Sequence, residues 1–474
     1  MILAELREVE REILARRPEH SIDPSLDRIR QLVTLLGDPQ RAYPIIHITG
    51  TNGKTSTARM TETLLRARGL RTGLFTSPHL VSIRERICVD GVPVSAERFV
   101  ESYREIEPYL RLVDESQPVP LSFFEVLVGM AFALFADAPV DVAVIEVGMG
   151  GTWDNTNVAD GTVAVVTPIS MDHAQWLGNT VAAIAVDKAG IIKPGAVAVI
   201  GQQSLEAATQ LLRRAAEVGA TVAREGIEFG VLRRDLAVGG QRLDIRGLRG
   251  EYHDLFLPLF GPYQAANAAC ALAAVEAFSG AGDSGDDTGL DPVLVAEAFA
   301  MVSSPGRLEV LRRSPLVLAD AAHNPAGMAA TLGALTEAFG SAEVIAVLAV
   351  SADKDVAAIL DELEPVAAAV VATVNSSPRS MPAAELAELA RDFFGPDRVH
   401  AADRLDDAVE IAVGLADEAA AALGSPLAGL LPGGPGADAI ATETVVLVTG
   451  SVVTAGDARL LLTGAGPAGP EEDS

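Results

Sequence analysis

Thr49-Gly50-Thr51-Asn52-Gly53-Lys54-Thr55-Ser56-Thr57 decides how this chain is read. Before it runs an apolar stretch with strand character, Pro44-Ile45-Ile46-His47-Ile48. After it comes an amphipathic stretch with Met60, Leu64 and Leu65 on one face, ending at Gly69. A strand that turns through glycines into a helix leaves the first N–H groups of the helix unpaired, and the helix dipole adds positive potential there. Lys54 supplies a point charge for the outer phosphates of a nucleotide, and Thr55 offers a hydroxyl suited to Mg²⁺. The pattern departs from the usual Walker spacing: Ile48 stands five positions before Gly53, and the upstream glycine is Gly50. The shortened loop narrows the candidates among phosphate-loop proteins.

The chain has 474 residues, of which 49% are apolar, enough for sizeable cores, and its net charge is −28. Length alone predicts roughly three domains, and two large α/β domains fit equally well. So acidic a protein is a poor binder of nucleic acid or of anionic membranes, both of which need basic surface. Cys88 and Cys270 give neither a disulfide framework nor a metal-binding spacing. The first residues do not resemble a signal peptide, and no apolar run reaches the ~20 residues of a membrane span. A soluble cytoplasmic enzyme is the expectation. Only Lys54, Lys188, Lys193 and Lys354 are lysines, against 32 arginines. A strong arginine preference accounts for Lys193, whereas Lys54 and Lys188 lie in recognisable sites. A lysine amine can lose its proton and be modified; a guanidinium effectively cannot.

Strands and helices alternate along the first half. Val140–Val147, Thr162–Val166 and Ala196–Ile200 read as buried strands, with helices near 96–112, 122–136, 180–190 and 204–218. This predicts a doubly wound, mainly parallel sheet. Shorter strands over 220–260 precede a helix from Gln264 to Ser279, and 279–291 reads as an exposed loop. A boundary is expected near Ser303-Ser304-Pro305-Gly306, giving a phosphate-loop domain over 1–302 and a smaller Rossmann-like α/β domain over 303–474. There, Asn324-Pro325 reads as a helix cap followed by proline at the first helical position. Residues 424–439 and the tail from Gly464 have loop or disordered character.

Glu146 closes the strand that begins at Val140. An acid at the carboxyl end of a buried strand either caps the strand or holds Mg²⁺, and the following Gly148-Met149-Gly150-Gly151 favours the metal. His173, after the next strand, would gather at the same sheet edge, where ligands of such sheets collect. Lys188 ends a helix that should carry it back toward His173. Beside Mg²⁺ it either contacts phosphate or is carbamylated and anionic, and the residues alone leave both open. Ser77, in Ser77-Pro78-His79-Leu80, lies within reach of the same metal.

In order along the chain, Gly50–Thr55, Ser77-Pro78-His79-Leu80, Ser122-Phe123-Phe124-Glu125, Glu146–Gly151, Asp154-Asn155-Thr156-Asn157, Asp172-His173, Lys188-Ala189-Gly190, Asn267, Pro305-Gly306-Arg307-Leu308-Glu309 and Asp320 with His323-Asn324-Pro325 closely resemble the folylpolyglutamate synthase / dihydrofolate synthase family, relatives of the Mur peptide ligases. The resemblance implies an ATP-dependent carboxylate–amine ligase of folate biosynthesis with two Mg²⁺ ions. Ser77 and Glu146 would hold one ion; Glu146, His173 and a carbamylated Lys188 the other. Thr51, Asn52, Gly53, Lys54 and Thr55 would wrap the ATP phosphates, with Asn267, Arg307, Asp320 and His323 on the nucleotide across the cleft. Ser21, Ile22, Asp23 and Pro24, with Ser122, Phe123, Phe124 and Glu125 and with Trp153, Asp154 and Asn155, would contact the pteroate. Lys54, Lys188, His173 and Glu146 would carry catalysis. Two departures stand out: Ala321 where glycine is common, and Gly450-Ser451-Val452-Val453 in place of Gly-Ser-Leu-Tyr.

The implied substrates are folates, dihydropteroate, L-glutamate and ATP, handled by a monomer with no nucleic-acid or membrane partner. ATP would phosphorylate the substrate carboxylate, and the glutamate amine would displace phosphate. The alternatives are a Mur-type ligase for a peptidoglycan precursor and a phosphate-loop switch that turns over ATP without glutamate.

Overall fold

The apolar run after Pro44 forms strand β1 (Ile45–Thr49), every residue of it buried, inside an eight-stranded sheet. The computed structural model describes residues 2–18, 21, 23–280, 289–340, 342–422 and 444–464. Most of the expected 279–291 loop, the 424–439 stretch and the tail beyond Gly464 lie outside the described residues.

The remaining strands of this sheet are β2 (Thr72–Phe75), β3 (Ile87–Val89), β4 (Val92–Pro93), β5 (Val142–Glu146), β6 (Val163–Val166), β7 (Val197–Ile200) and β8 (Thr221–Arg224), in the order β4-β3-β2-β5-β1-β6-β7-β8. All neighbours are parallel except β3, which runs antiparallel to both β2 and β4. Helices cover both faces, so the central strands are continuously apolar rather than alternating. On one face, Met60 and Leu64 of helix Lys54–Ala67 pack with Ala268 and Leu272 of the alanine-rich helix Pro262–Gly280. The other face carries helices Ile2–Leu14, Asp27–Leu35, Ala96–Ser116 and Phe123–Asp137. The last of these is apolar all round and buried, as such helices must be. Helices Val181–Lys188 and Leu205–Val218 complete the cover over β6 and β7.

The shorter strands expected over 220–260 divide. β8 joins the large sheet, while β9 (Gly230–Ala237), β10 (Gly240–Arg246) and β11 (Glu251–Leu257) make a separate antiparallel sheet. Its Leu243, Ile245, Leu255 and Leu257 pack into the core that contains helix Pro262–Gly280.

A second sheet restarts at β12 (Glu309–Arg313) and continues with β13 (Leu316–Ala319), β14 (Glu343–Leu348), β15 (Ala367–Ala372), β16 (Val399–Ala401) and β17 (Thr444–Thr449). Its order is β12-β13-β17-β14-β15-β16, parallel except at β12–β13. Helices Pro325–Phe339, Val356–Leu363 and Ala383–Phe394 pack one face, and Leu405–Ala422 and Val452–Thr463 the other. Asn324 caps the first of these helices by accepting from the Gly327 N–H, with Pro325 at the first position, as the dipeptide predicts. The expected architecture, a doubly wound mainly parallel sheet followed by a smaller Rossmann-like layer, is the observed one. Among the described residues, no helix is long and apolar enough to cross a membrane.

Candidate active site

Strand order reverses at β1, between β5 and β6, and a crevice opens beyond the carboxyl ends there. The phosphate loop fills its floor. Gly50 has φ +150°, and a Cβ on it would lie 1.8 Å from Thr167 Oγ1, so only glycine lets the loop pass. The loop is tied down by Thr51 N–H to Pro168 O (3.0 Å) and by Thr167 Oγ1 to Asn52 O (2.7 Å).

Lys54 Nζ donates to Gly50 O (3.1 Å) and Thr51 O (3.0 Å). Burial lowers its pKa, and Glu146 and Asp172 pull the other way. Glu146 is 1% exposed and accepts from Thr55 Oγ1 (2.8 Å) and Ser77 N–H (3.2 Å). Burial raises its pKa against the charge of Lys54. Lys188 is also buried, and its Nζ donates to Gly50 O at 2.7 Å. Burial, and then the charge of Lys54, lower its pKa to about 7, so near neutrality much of it is free amine. His173 sits at φ +50°, a left-handed conformation that costs a non-glycine residue free energy. Burial, opposed by Asp172, lowers its pKa to about 4, which leaves a neutral ring with a lone pair to offer.

These groups line one cavity of about 500 Å³. Thr51–Thr55, Ser77, Glu146, His173 and Lys188 line it together with Arg307, Asp320 and His323 from the second layer, and with Asn267, which lies against Gly53 of the loop itself. Asp320 accepts from Leu308 N–H, Ala322 N–H and Thr331 Oγ1, each at 2.9 Å, which fixes the strand ends that carry Arg307 and His323. His323 Nδ1 contacts Ala321 O (3.0 Å); a carbonyl only accepts, so that nitrogen carries the proton. The two α/β layers meet over the cavity through Asn324 Nδ2 to Asp172 Oδ2 (3.2 Å), Lys354 to Asp172 (3.6 Å) and Ser56 to Ser304 (3.1 Å).

Among the described residues, no three His, Cys, Asp or Glu side chains converge as a ligand cluster. Any cation here would draw on hydroxyls as well. The donor chemistry fits: a buried carboxylate disfavoured by its burial, beside two hydroxyl-bearing residues, suits a hard, oxygen-seeking divalent ion.

A second cavity, of about 320 Å³, adjoins the first. Ser77, Met149, His173 and His323 border both. Of the residues that the resemblance assigns to the pteroate, Ser21, Asp23, Ser122, Phe124, Glu125, Trp153, Asp154 and Asn155 line it. Phe123 does not: it is buried in the core, with the Arg86 guanidinium 5.0 Å from its ring centre. Pro24 is exposed outside the lining, and Ile22 lies outside the described residues. Ser122 and Glu125 are spent partly on each other, in a capping box that starts helix Phe123–Asp137. Asp154 holds its own loop, accepting from Met149 N–H and Thr156 N–H at 2.9 Å. Sequence reasoning missed Arg17, Arg28, Trp176 and Lys354 on this wall. The scarcity of lysine was a usable signal for Lys354; the arginines had none, being common throughout the chain.

The Mur ligase middle domain model matches residues 124–275, and the Mur ligase, glutamate ligase domain model matches 306–425. The dihydrofolate synthase/folylpolyglutamate synthase of Mycobacterium tuberculosis is 51% identical over 472 residues, covering 97% of this chain and 94% of that protein. The folylpolyglutamate synthase of Lacticaseibacillus casei is 36% identical, covering 75% and 83%. The solved Mycobacterium tuberculosis folylpolyglutamate synthase complexed with ADP superposes with a TM-score of 0.90 at 50% identity, covering 99% of this chain and 100% of that one. These relatives do not favour the peptidoglycan-precursor alternative. The chain belongs to the folylpolyglutamate synthase / dihydrofolate synthase family of Mur-type ligases.

Proposed function

We propose that the protein is an ATP-dependent ligase that adds L-glutamate to the carboxylate of tetrahydrofolates and of dihydropteroate. One observation carries the reading: the cavity floored by the phosphate loop and the cavity walled by Phe124, Trp153 and Trp176 share Ser77, Met149, His173 and His323. A nucleotide in the first and a flat-ringed acid in the second would bring phosphate and carboxylate together at that shared wall.

A carboxylate oxygen of the acceptor attacks the γ-phosphorus, the bond to the bridging oxygen breaks, and ADP leaves with that electron pair. The glutamate amine then attacks the acyl carbon, loses a proton and expels inorganic phosphate, forming the amide. Positioning and charge neutralisation dominate such chemistry. Thr51–Thr55 bind and orient the polyphosphate, and Lys54 neutralises charge on the transferring group. Asn267, beside Gly53, and Arg307, Asp320 and His323 of the second layer hold the rest of the nucleotide. Closure of the second layer over the first, through Asn324, Lys354 and Asp172, excludes water that would hydrolyse an acyl phosphate.

Ser77 and Glu146 would hold one Mg²⁺, and Glu146, His173 and a carbamate of Lys188 would hold a second. The chemistry they supply when bound is shielding between two anions. A carbamate forms when the neutral Lys188 amine bonds the carbon of CO₂ and releases a proton, and an amine with a pKa near 7 supports that. We further assign residues 1–302 to the nucleotide and pteroate domain, residues 303–474 to the C-terminal ligase domain, and the working form to a cytoplasmic monomer.

The test is ADP release with dihydropteroate and with tetrahydrofolate, each with and without glutamate. Glutamate-dependent release with both is expected. Release independent of glutamate rejects a ligase, and release with one acceptor alone rejects the dual activity.

A further inference from the structure

The antiparallel sheet β9–β11 lines neither cavity, yet its side chains tie together two helices that do. Gln241 of β10 is fully buried, and its Nε2 donates to the carbonyls of Leu259 (2.9 Å) and Gly261 (3.1 Å), just before helix Pro262–Gly280. Carbonyls only accept, so the amide nitrogen must face them and Oε1 must face away. That oxygen accepts from one terminal nitrogen of Arg234 in β9, at 3.1 Å. The other terminal nitrogen of Arg234 donates to Glu337 Oε1, on helix Pro325–Phe339 of the second layer.

Two further contacts gather at the same place. Gly261 sits at φ +94°, and a Cβ on it would lie 2.7 Å from Ala334 Cβ, so the main chain abuts the helix directly. The rings of Phe260 and Phe339 are 5.4 Å apart and tilted by 54°. Positions 327, 330, 331, 334 and 337 recur on one face of an α-helix. Gly327, Ala330 and Thr331 of that face line the nucleotide cavity, while Ala334 and Glu337 meet the first layer. The face spans about 15 Å at the usual rise per residue. A stiff rod is thus gripped at one end and presents its other end to the nucleotide. Pro262, Tyr263 and Gln264 line the same cavity immediately after the gripped Gly261.

We propose that Arg234 is a positioning residue for the nucleotide: backed by the buried Gln241, it holds helix Pro325–Phe339 at a set spacing from helix Pro262–Gly280. The sheet β9–β11 is then a brace between the two layers. A guanidinium suits the task, because its planar fork addresses two partners at fixed angles. Neither Arg234 nor Glu337 lines the cavity, so the effect reaches the nucleotide only through the two helices. A slackened brace lowers the fraction of molecules whose cavity has the binding spacing, and apparent affinity falls by that fraction. The turnover half of the test rests on the ligase reading above; the binding half does not.

The experiment uses the full chain with Arg234→Met, Glu337→Gln and the double variant. Isothermal titration gives the Kd for ADP, and ADP release gives the ATP KM and kcat. Each single variant is expected to raise the ADP Kd and ATP KM about fivefold. The kcat at saturating ATP should stay within twofold, and the double variant should match Arg234→Met, because both changes break one tie. Unchanged ADP Kd and ATP KM in the single variants overturn the proposal, whatever happens to Tm. Losses that simply add in the double variant overturn it as well. If Arg234→Met does not fold, the half-buried Glu337→Gln decides by its own Kd and KM. A wild-type chain that binds ADP but releases none with either acceptor fails the ligase reading, and the ADP Kd of the variants still judges the brace.

Discussion

Lys188 Nζ and Lys54 Nζ both donate to the carbonyl oxygen of Gly50, at 2.7 Å and 3.1 Å. Two of the chain's four lysines thus converge on one peptide of the phosphate loop. Burial first, and then the charge of Lys54, bring Lys188 down to about 7.

Lys188→Ala should lower kcat by about 100-fold or more if a carbamate there completes the metal set. Short carboxylates such as acetate should restore part of the loss, and Lys188→Arg should not substitute. Since only the neutral amine takes up CO₂, wild-type activity should fall as pH drops below about 7. Steady-state assays with and without added acetate check this; an alanine variant with full activity rejects the role.

Gly50→Ala places a methyl group 1.8 Å from Thr167 Oγ1, at a backbone φ of +150°. The loop must shift, and a misplacement of this size should cost about 100-fold in kcat/KM for ATP. Acceptor binding in the neighbouring cavity, read by tryptophan fluorescence, should persist. Normal ATP kinetics would contradict the close approach.

Asp172 receives Asn324 and Lys354 from the opposite layer. Asp172→Asn keeps the shape but removes the charge that draws Lys354 in. We expect a looser seal, so that ADP formed exceeds glutamylated product, because part of the acyl phosphate meets water. Parallel measurement of ADP and product decides; a ratio that stays at one rejects the seal.

His47 is fully buried in β1, and burial lowers its pKa to about 3. Below about 6.5 the unfolded chain takes up a proton that the folded chain refuses, so stability is lost as pH falls from 6.5 toward 3. His47→Gln should remove this contribution, giving a smaller drop in Tm between pH 7.5 and pH 5 than the wild type shows. An equal drop in both proteins contradicts neutral burial.

What was legible in the sequence was local. The run Ile45–Ile48, the glycines around Lys54 and the Asn324-Pro325 cap each act within a few residues, and each forms the element its residues predict. The antiparallel sheet β9–β11 was foreseen only as short strands; that three of them pair with one another apart from the large sheet, with Leu243, Ile245, Leu255 and Leu257 packed beside helix Pro262–Gly280, is set by tertiary packing. Ser122-Phe123-Phe124-Glu125 combines two kinds of information. Its spacing is that of a capping box, a local signal, whereas the exposure of Phe124 to a cavity and the burial of Phe123 follow from tertiary packing. The Arg28–Glu125 bond joins residues 97 positions apart, and no periodicity announces such a pair.

Because the two cavities have a common border at Ser77, Met149, His173 and His323, occupants of the two are near neighbours. One molecule bearing a polyphosphate mimic at one end and a pterin-like ring at the other should seat both ends at once. Its second contact would be intramolecular, so the tether, matched to the span, should multiply affinity well beyond that of either fragment alone.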